Sequence, residues 1–233
     1  MVKSGIRKRL AVAVLIALIC IAPAAGFAQG SRVPVTSLKN FTNTPQYQLD
    51  ITWSVTDSYE DKNYIAHVEM TATGRFLLKQ TDKHDASARW YGGWQSGNVT
   101  YTGTLIEKSN PPHKSEWKVS STAPMSGYPG ADFIVGGNTP GYQLVAKTVF
   151  PVQVTTPYGN YPTILTLLTL DVDTQKYCTG PLPAAGSTIH GSMVIALPVE
   201  PFSGHPVKMS KVGVTYVLQP IEQLTPLVPP KHQ

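Results

Sequence analysis

His67 and Glu69 stand two positions apart in a stretch that alternates apolar and polar residues, so both side chains leave the same side of a strand. A histidine beside a carboxylate is the raw material of an acid–base pair or of two metal ligands. Either use needs a third group, and the sequence names none. The pair is equally what an exposed polar strand face contains. Asp82, His84 and Asp85 fall in a polar stretch that reads as a loop. Asp171 and Asp173 offer carboxylates at a strand end, but a calcium ion takes roughly six to eight oxygens. No Gly-x-Ser-x-Gly elbow is present, and Ser126-Gly127 and Ser203-Gly204 have the look of turn pairs. No glycine-rich phosphate loop opens a helix. No catalytic residue, metal-ligand set or cofactor is therefore expected, and an enzyme is the weaker reading.

The most informative local group is Arg89-Trp90-Tyr91-Gly92-Gly93-Trp94-Gln95. On an unbent strand Trp90 and Trp94 share a face and Tyr91 takes the other. The glycines remove bulk and let a partner approach the rings or the backbone. Trp90, Tyr91 and Trp94 are thus the candidate binding residues, offering a flat apolar surface to a sugar ring or a protein. Two tryptophans that fill a sandwich core are the competing reading. Cys178 is the lone thiol once the leader described below is removed, so it has no partner for an internal disulfide. A buried, inert thiol is expected there. Asn40-Phe41-Thr42 and Asn98-Val99-Thr100 match the N-glycosylation pattern.

The elements that must position these groups are strands. Asn43-Thr44-Pro45-Gln46-Tyr47-Gln48-Leu49 returns ninety-five positions later as Asn138-Thr139-Pro140-Gly141-Tyr142-Gln143-Leu144, with Gln46 and Gly141 the single difference. After the first copy Tyr47, Leu49, Ile51, Trp53 and Val55 alternate with polar residues. Strands are expected over 47–56, from Tyr64 with a bulge or bend at Gly74, over 89–95 and 99–105 about a turn at Ser96-Gly97-Asn98, around Trp117 and Val119, over 142–156, 164–170 and 193–197, and over 212–218. Asp57–Asn63 and Thr81–Asp85 read as loops, as does Pro124–Gly130. Glu107, His113 and Lys114 have a looser echo in Glu200, His205 and Lys208. No segment carries a 3.6-residue apolar stripe, and 20 prolines and 19 glycines are spread along the chain, as between many short strands. The echo is read two ways: a duplicated module, or two loops obeying the same local rules.

Lys3, Arg7, Lys8 and Arg9, the apolar run Leu10–Ile21 and the small residues around Phe27 have the layout of a secretory signal cleaved after Ala28. The apolar run is short of the roughly 20 residues of a spanning helix, so no membrane span is expected after processing. The processed chain of 205 residues carries 15 basic and 14 acidic side chains. Its basic pI thus belongs to the leader, and a nucleic-acid partner is not expected. The expected layout is a signal peptide over 1–28, a lead-in over 29–42, a first β module over 43–137, a second over 138–219 that may join the first in one domain, and a proline-rich tail over 220–233.

The expectation is an all-β protein, an antiparallel β-sandwich or partly closed barrel with two related halves, exported to the periplasm or the extracellular space. Its expected role is binding or structural, with a protein or carbohydrate partner. The first alternative is a carrier of an apolar small ligand, its cavity lined by Tyr47, Leu49, Trp53, Val68 and Met70. The second is a hydrolase built from His67, Glu69 and His84. A large internal cavity, a solid core with an exposed Trp90 or Trp94, or a cleft joining histidine to carboxylate would separate the three.

Overall fold

Tyr47, Leu49, Ile51, Trp53 and Val55 are all buried, while Gln48, Asp50 and Thr52 between them are half-buried and Ser54 is exposed. Period-two alternation therefore does select the inner face of the strand. The computed structural model describes residues 44–84, 87–137, 141–182, 184, 186–201 and 208–221. The expected leader, lead-in and most of the tail lie outside these, as do Cys20, Asn40, Asp85, His205 and residues 138–140.

Eleven strands form the described part of the chain: β1 (Gln46–Glu60), β2 (Tyr64–His84), β3 (Ser87–Glu107), β4 (His113–Val119), β5 (Gly130–Gly136), β6 (Gly141–Thr156), β7 (Gly159–Leu168), β8 (Leu170–Asp171), β9 (Lys176–Pro181), β10 (Ile189–Pro198) and β11 (Met209–Pro220). Nothing described is helical, so no helix there crosses a membrane. The strands make one antiparallel sheet in the order β10-β11-β1-β2-β3-β4-β6-β9-β8, with β5 between β3 and β6 and β7 on β6. The sheet curls until its ends approach, where Val172 N–H donates to Ala196 O at 3.1 Å. The result is all-β and partly ringed rather than a closed barrel.

The two copies of the echo occupy matching places in this ring. Leu49 faces Leu218 on one side and Phe76 on the other, and Leu218 faces Ile189. Leu144 faces Phe133 and Cys178, and Phe133 faces Trp90. Taken in chain order, Leu49, Phe76, Trp90 and Phe133 correspond to Leu144, Cys178, Ile189 and Leu218. In these terms β1, β2, β3 and β5 match β6, the interrupted strand β7–β9, β10 and β11. All eight residues are buried. The order repeats in outline, but Phe76 pairs with Trp94 rather than Trp90, and β9 and β10 share no ladder among the described residues, so the register does not carry across all four strands. The looser echo fails the same test: Glu107 ends β3 and leads to β4, which has no counterpart, whereas the strand after Glu200 is β11, matched to β5.

Two side-chain bonds tie the two halves across the interior, and a third spans the interior within the second half. Trp53 Nε1–H donates to Leu168 O at 2.8 Å, Tyr101 O–H donates to Val199 O, and the hydroxyls of Tyr142 and Tyr216 lie 2.9 Å apart. Tyr47 packs edge-on against Trp90 and Phe133, each at 5.2 Å, and Phe133 reaches Tyr142 at 5.9 Å. The tyrosines of both echo copies thus meet at one phenylalanine.

Several strand boundaries differ from expectation. Ser96-Gly97-Asn98 is not a hairpin turn; β3 runs straight through it as the partner of β2. β1 continues to Glu60 and β2 to His84, so the expected loops there are shorter. A register shift between Arg75 and Phe76 marks the irregularity expected at Gly74. β5 and β9 were not anticipated, although Ala131, Phe133 and Val135 alternate between Gly130 and Gly136 and could have been read.

Candidate functional site

Trp90 is completely buried, and its indole N–H donates to Thr44 O at 2.8 Å. No ligand on the surface meets its ring. Trp94 shares that inward face and packs edge-on against Phe76 at 5.4 Å and Phe150 at 5.8 Å. Of the three expected binding residues Tyr91 alone stands out from the surface, 51% exposed. The competing core reading describes Trp90 in full. Cys178 is buried and unbridged against Met193, and burial pushes its thiol up to about 12, which leaves it inert at neutral pH.

His67 and Glu69 do meet: His67 Nε2 lies 3.3 Å from Glu69 Oε1, and Ser58 Oγ lies 2.7 Å from His67 Nδ1. The order Ser–His–Glu has the outline of a nucleophile, base and orienter. All three are exposed, and Ser58 and His67 are direct cross-strand partners on β1 and β2. Water competes for each of these bonds, and cross-strand neighbours make them without any catalytic purpose. His84 pairs with Asp82, at 3.1 Å and well exposed. Asp171 Oδ1 accepts from the backbone of Asp173 and Thr174, so it builds a turn. Among the described residues no three His, Cys, Asp or Glu side chains gather as a metal site.

Two other places gather polar groups. One is a groove of about 570 Å³ on the outer face of β10, β11, β1, β2 and β3. Its floor follows the row Gly191, Tyr216, Ile51, Gly74 and Gly97. A Cβ at Gly191 would overlap the Tyr216 ring, and one at Gly74 would come within 2.5 Å of Trp94. The missing side chains leave room for those rings against the backbone. The walls carry His190, Asp50, Arg75 and Ser96 in one row and Thr215, Thr52 and Thr73 in the next. Arg75 grips Asp50 through two N–H groups, at 2.6 and 3.2 Å, which fixes the guanidinium on the rim.

The other place is a cavity of about 20 Å³ at the opposite ends of β1 and β2, lined by Asp57, Tyr59, Trp117, Glu200, Lys208 and Ser210 among others. Both carboxylate oxygens of Glu200 are enclosed and have no hydrogen-bond partner among the described residues, and the same holds for the Tyr59 hydroxyl. Burial pushes the Glu200 carboxyl up to about 7. Burial also works against the Asp57 charge, but hydrogen bonds from Lys208 and Ser210 outweigh it and hold that carboxyl below its ordinary range. Lys208 Nζ lies 2.9 Å from Asp57 Oδ1 and 5.8 Å from the centre of the Tyr59 ring. Sequence reasoning passed over Glu200 because nothing in Pro198-Val199-Glu200-Pro201 signals that the acid is enclosed.

Linkage gives this acid a measurable signature. Its folded pKa of about 7 lies above the ordinary 4.5, so the folded state holds the proton more tightly. Its contribution to stability is complete below pH 4.5 and is lost as the pH rises through 7. The charged or titratable groups facing it are Asp57 and Tyr59 of β1, Tyr64 and His67 of β2, Tyr101 of β3, and Lys208. Glu200→Gln keeps the shape and removes the titration. Its Tm is expected to match wild type at pH 4.5 and to exceed it at pH 8 by several degrees, at roughly 2–4 °C per kcal/mol for a chain of this size. Calorimetry of the two proteins across this range checks it; parallel Tm–pH curves would refute the assignment.

No family model matches the chain, and no curated protein or solved structure matches it either.

Proposed function

We propose that this protein is an exported, non-catalytic binding module that recognises a hydroxyl-rich ligand, a carbohydrate borne by its partner, in the glycine-floored groove. The observation that carries this reading is the groove itself. Threonine and serine hydroxyls, the His190 ring and the fixed Arg75 fork converge on a recess of about 570 Å³. Hydroxyls that both donate and accept suit a polyol, and a guanidinium braced by Asp50 offers its remaining N–H groups without reorganising. The paired strands beneath it supply a rigid frame. Tyr47, Leu49, Trp53, Val68 and Met70, which a carrier of apolar ligands would use as cavity wall, are packed into the core. The exposed Ser58, His67 and Glu69 have no comparable recess for a substrate; the cavity beside them holds about 20 Å³.

The test is equilibrium binding of the purified protein to a panel of neutral and acidic oligosaccharides, repeated with Thr52→Val combined with Arg75→Ala. Loss of two or more hydrogen bonds is expected to weaken binding at least about tenfold. Tyr91→Ala, away from the groove, is expected to leave binding unchanged. Binding that follows Tyr91 and ignores Thr52 and Arg75 would move the site to the aromatic stretch; a panel with no binder at all would remove the carbohydrate reading.

A further inference from the structure

We propose that the cavity beside Glu200 is a second binding site, distinct from the groove, that takes one primary ammonium group with Glu200 as its counter-ion. A carboxylate has about four acceptor positions, and here both oxygens are enclosed with every position unused. Groups buried in that way are rare, because an unmet acceptor forfeits its hydration for nothing. The Tyr59 hydroxyl, enclosed and unpartnered at the same cavity, adds a further acceptor. An ammonium carries three donors, enough for the two Glu200 oxygens and the Tyr59 oxygen together.

Size selects the ligand further. A cavity of about 20 Å³ has room for one group the size of a water molecule. An ammonium fits it; a guanidinium, an imidazole or a quaternary amine does not. The walls include the rings of Tyr59 and Trp117, whose faces attract cations. The field here already holds one ammonium, that of Lys208 over Tyr59. Lys208 is committed to Asp57 and to the Ser58 carbonyl at 3.4 Å, and it makes no ion pair with Glu200. Glu200 therefore waits for a cation from outside, either a free small amine or the side chain of a partner's lysine.

The experiment follows the Glu200 carboxyl carbon by NMR at pH 8 while methylammonium chloride or acetyl-lysine amide is added to the full-length protein. Potassium chloride and tetramethylammonium chloride at equal ionic strength serve as controls. The expected result is a saturable shift with methylammonium in the millimolar range, and a fall in the pH at which Glu200 titrates. A matching response to acetyl-lysine amide assigns the site to a lysine side chain; a response to methylammonium alone assigns it to a free amine. In Glu200→Gln, followed at the Trp117 indole N–H, binding is expected to weaken at least tenfold, and in Lys208→Met it is expected to persist. Equal responses to all four salts, or none up to 100 mM (on the order of 1.4 kcal/mol of affinity, too little for a site), would overturn the proposal.

Discussion

Gly92→Ala is expected to prevent folding, while Gly93→Ala one residue later is expected to be close to neutral. A Cβ at Gly92 would overlap the carbonyl oxygen of Leu77 and lie 2.6 Å from Leu77 C and 2.9 Å from Leu78 Cα. These are backbone atoms of β2 and cannot rotate away. Gly92 sits between two register shifts in the β2–β3 ladder, where the pairing is pinned at Phe76–Trp94 and Lys79–Tyr91. It also pairs with Ala131 of β5 on its other side. Separating the strands would break both ladders and open the aromatic core at Trp90. Overpacking of this kind usually costs about 1–3 kcal/mol. A backbone clash locked from two sides should exceed that, reaching a large share of the roughly 5–15 kcal/mol that holds a domain together. At Gly93 a Cβ meets nothing within 4 Å. Alanine there should gain a few tenths of a kcal/mol from a stiffer unfolded chain. Circular dichroism and urea unfolding of the two variants make the comparison. Similar behaviour of both would mean that the β2–β3 register described above is mistaken.

Trp53→Ala carries the second large effect. The side chain is fully buried, and its indole N–H reaches from β1 to Leu168 O at the end of β7. Removing a buried tryptophan costs about 3–5 kcal/mol. Here a buried carbonyl also loses its donor, which adds about 1–3 kcal/mol. Trp53→Phe separates the two contributions: it keeps most of the apolar volume and loses the bond. It should cost about 1–3 kcal/mol, less than alanine by the cavity contribution. Urea titrations with unchanged slopes would measure both. If phenylalanine is as harmless as a surface change, the bond across the interior does not tie the halves.

Much of the strand content was legible because its signal is local. Leu49, Ile51, Trp53 and Val55 announce their face by position alone, since a strand turns its side chains over at every residue. The glycines were harder. Ser96-Gly97-Asn98 has the chemistry of a turn, yet Gly97 is small because the Trp94 ring lies against it in mid-strand. Trp90 and Trp94 were correctly placed on one face, but parity does not tell an inner face from an outer one. β5 was missed although it alternates, because a proline- and glycine-rich stretch precedes it and the echo follows.

The candidate sites were barely legible at all. The groove is assembled from two or three residues of each of five strands, whose numbers run from Asp50 to Val217. Glu200 is an unremarkable acid in a proline-flanked connection until Tyr59, Trp117 and Lys208 close around it.

The amino-acid order by itself settled many of the strand-forming segments and which of their residues share a face, because each depends on neighbours within a few residues. Which strands pair, which glycines lie against aromatic rings, and whether a given Trp or Glu ends in the core, at the groove or beside a small cavity were settled by the curling of the whole sheet. Those outcomes depend on contacts between residues far apart in the chain, such as Lys208 and Asp57, 151 positions apart. Burial is a property of the curled sheet as a whole and not of any segment of it.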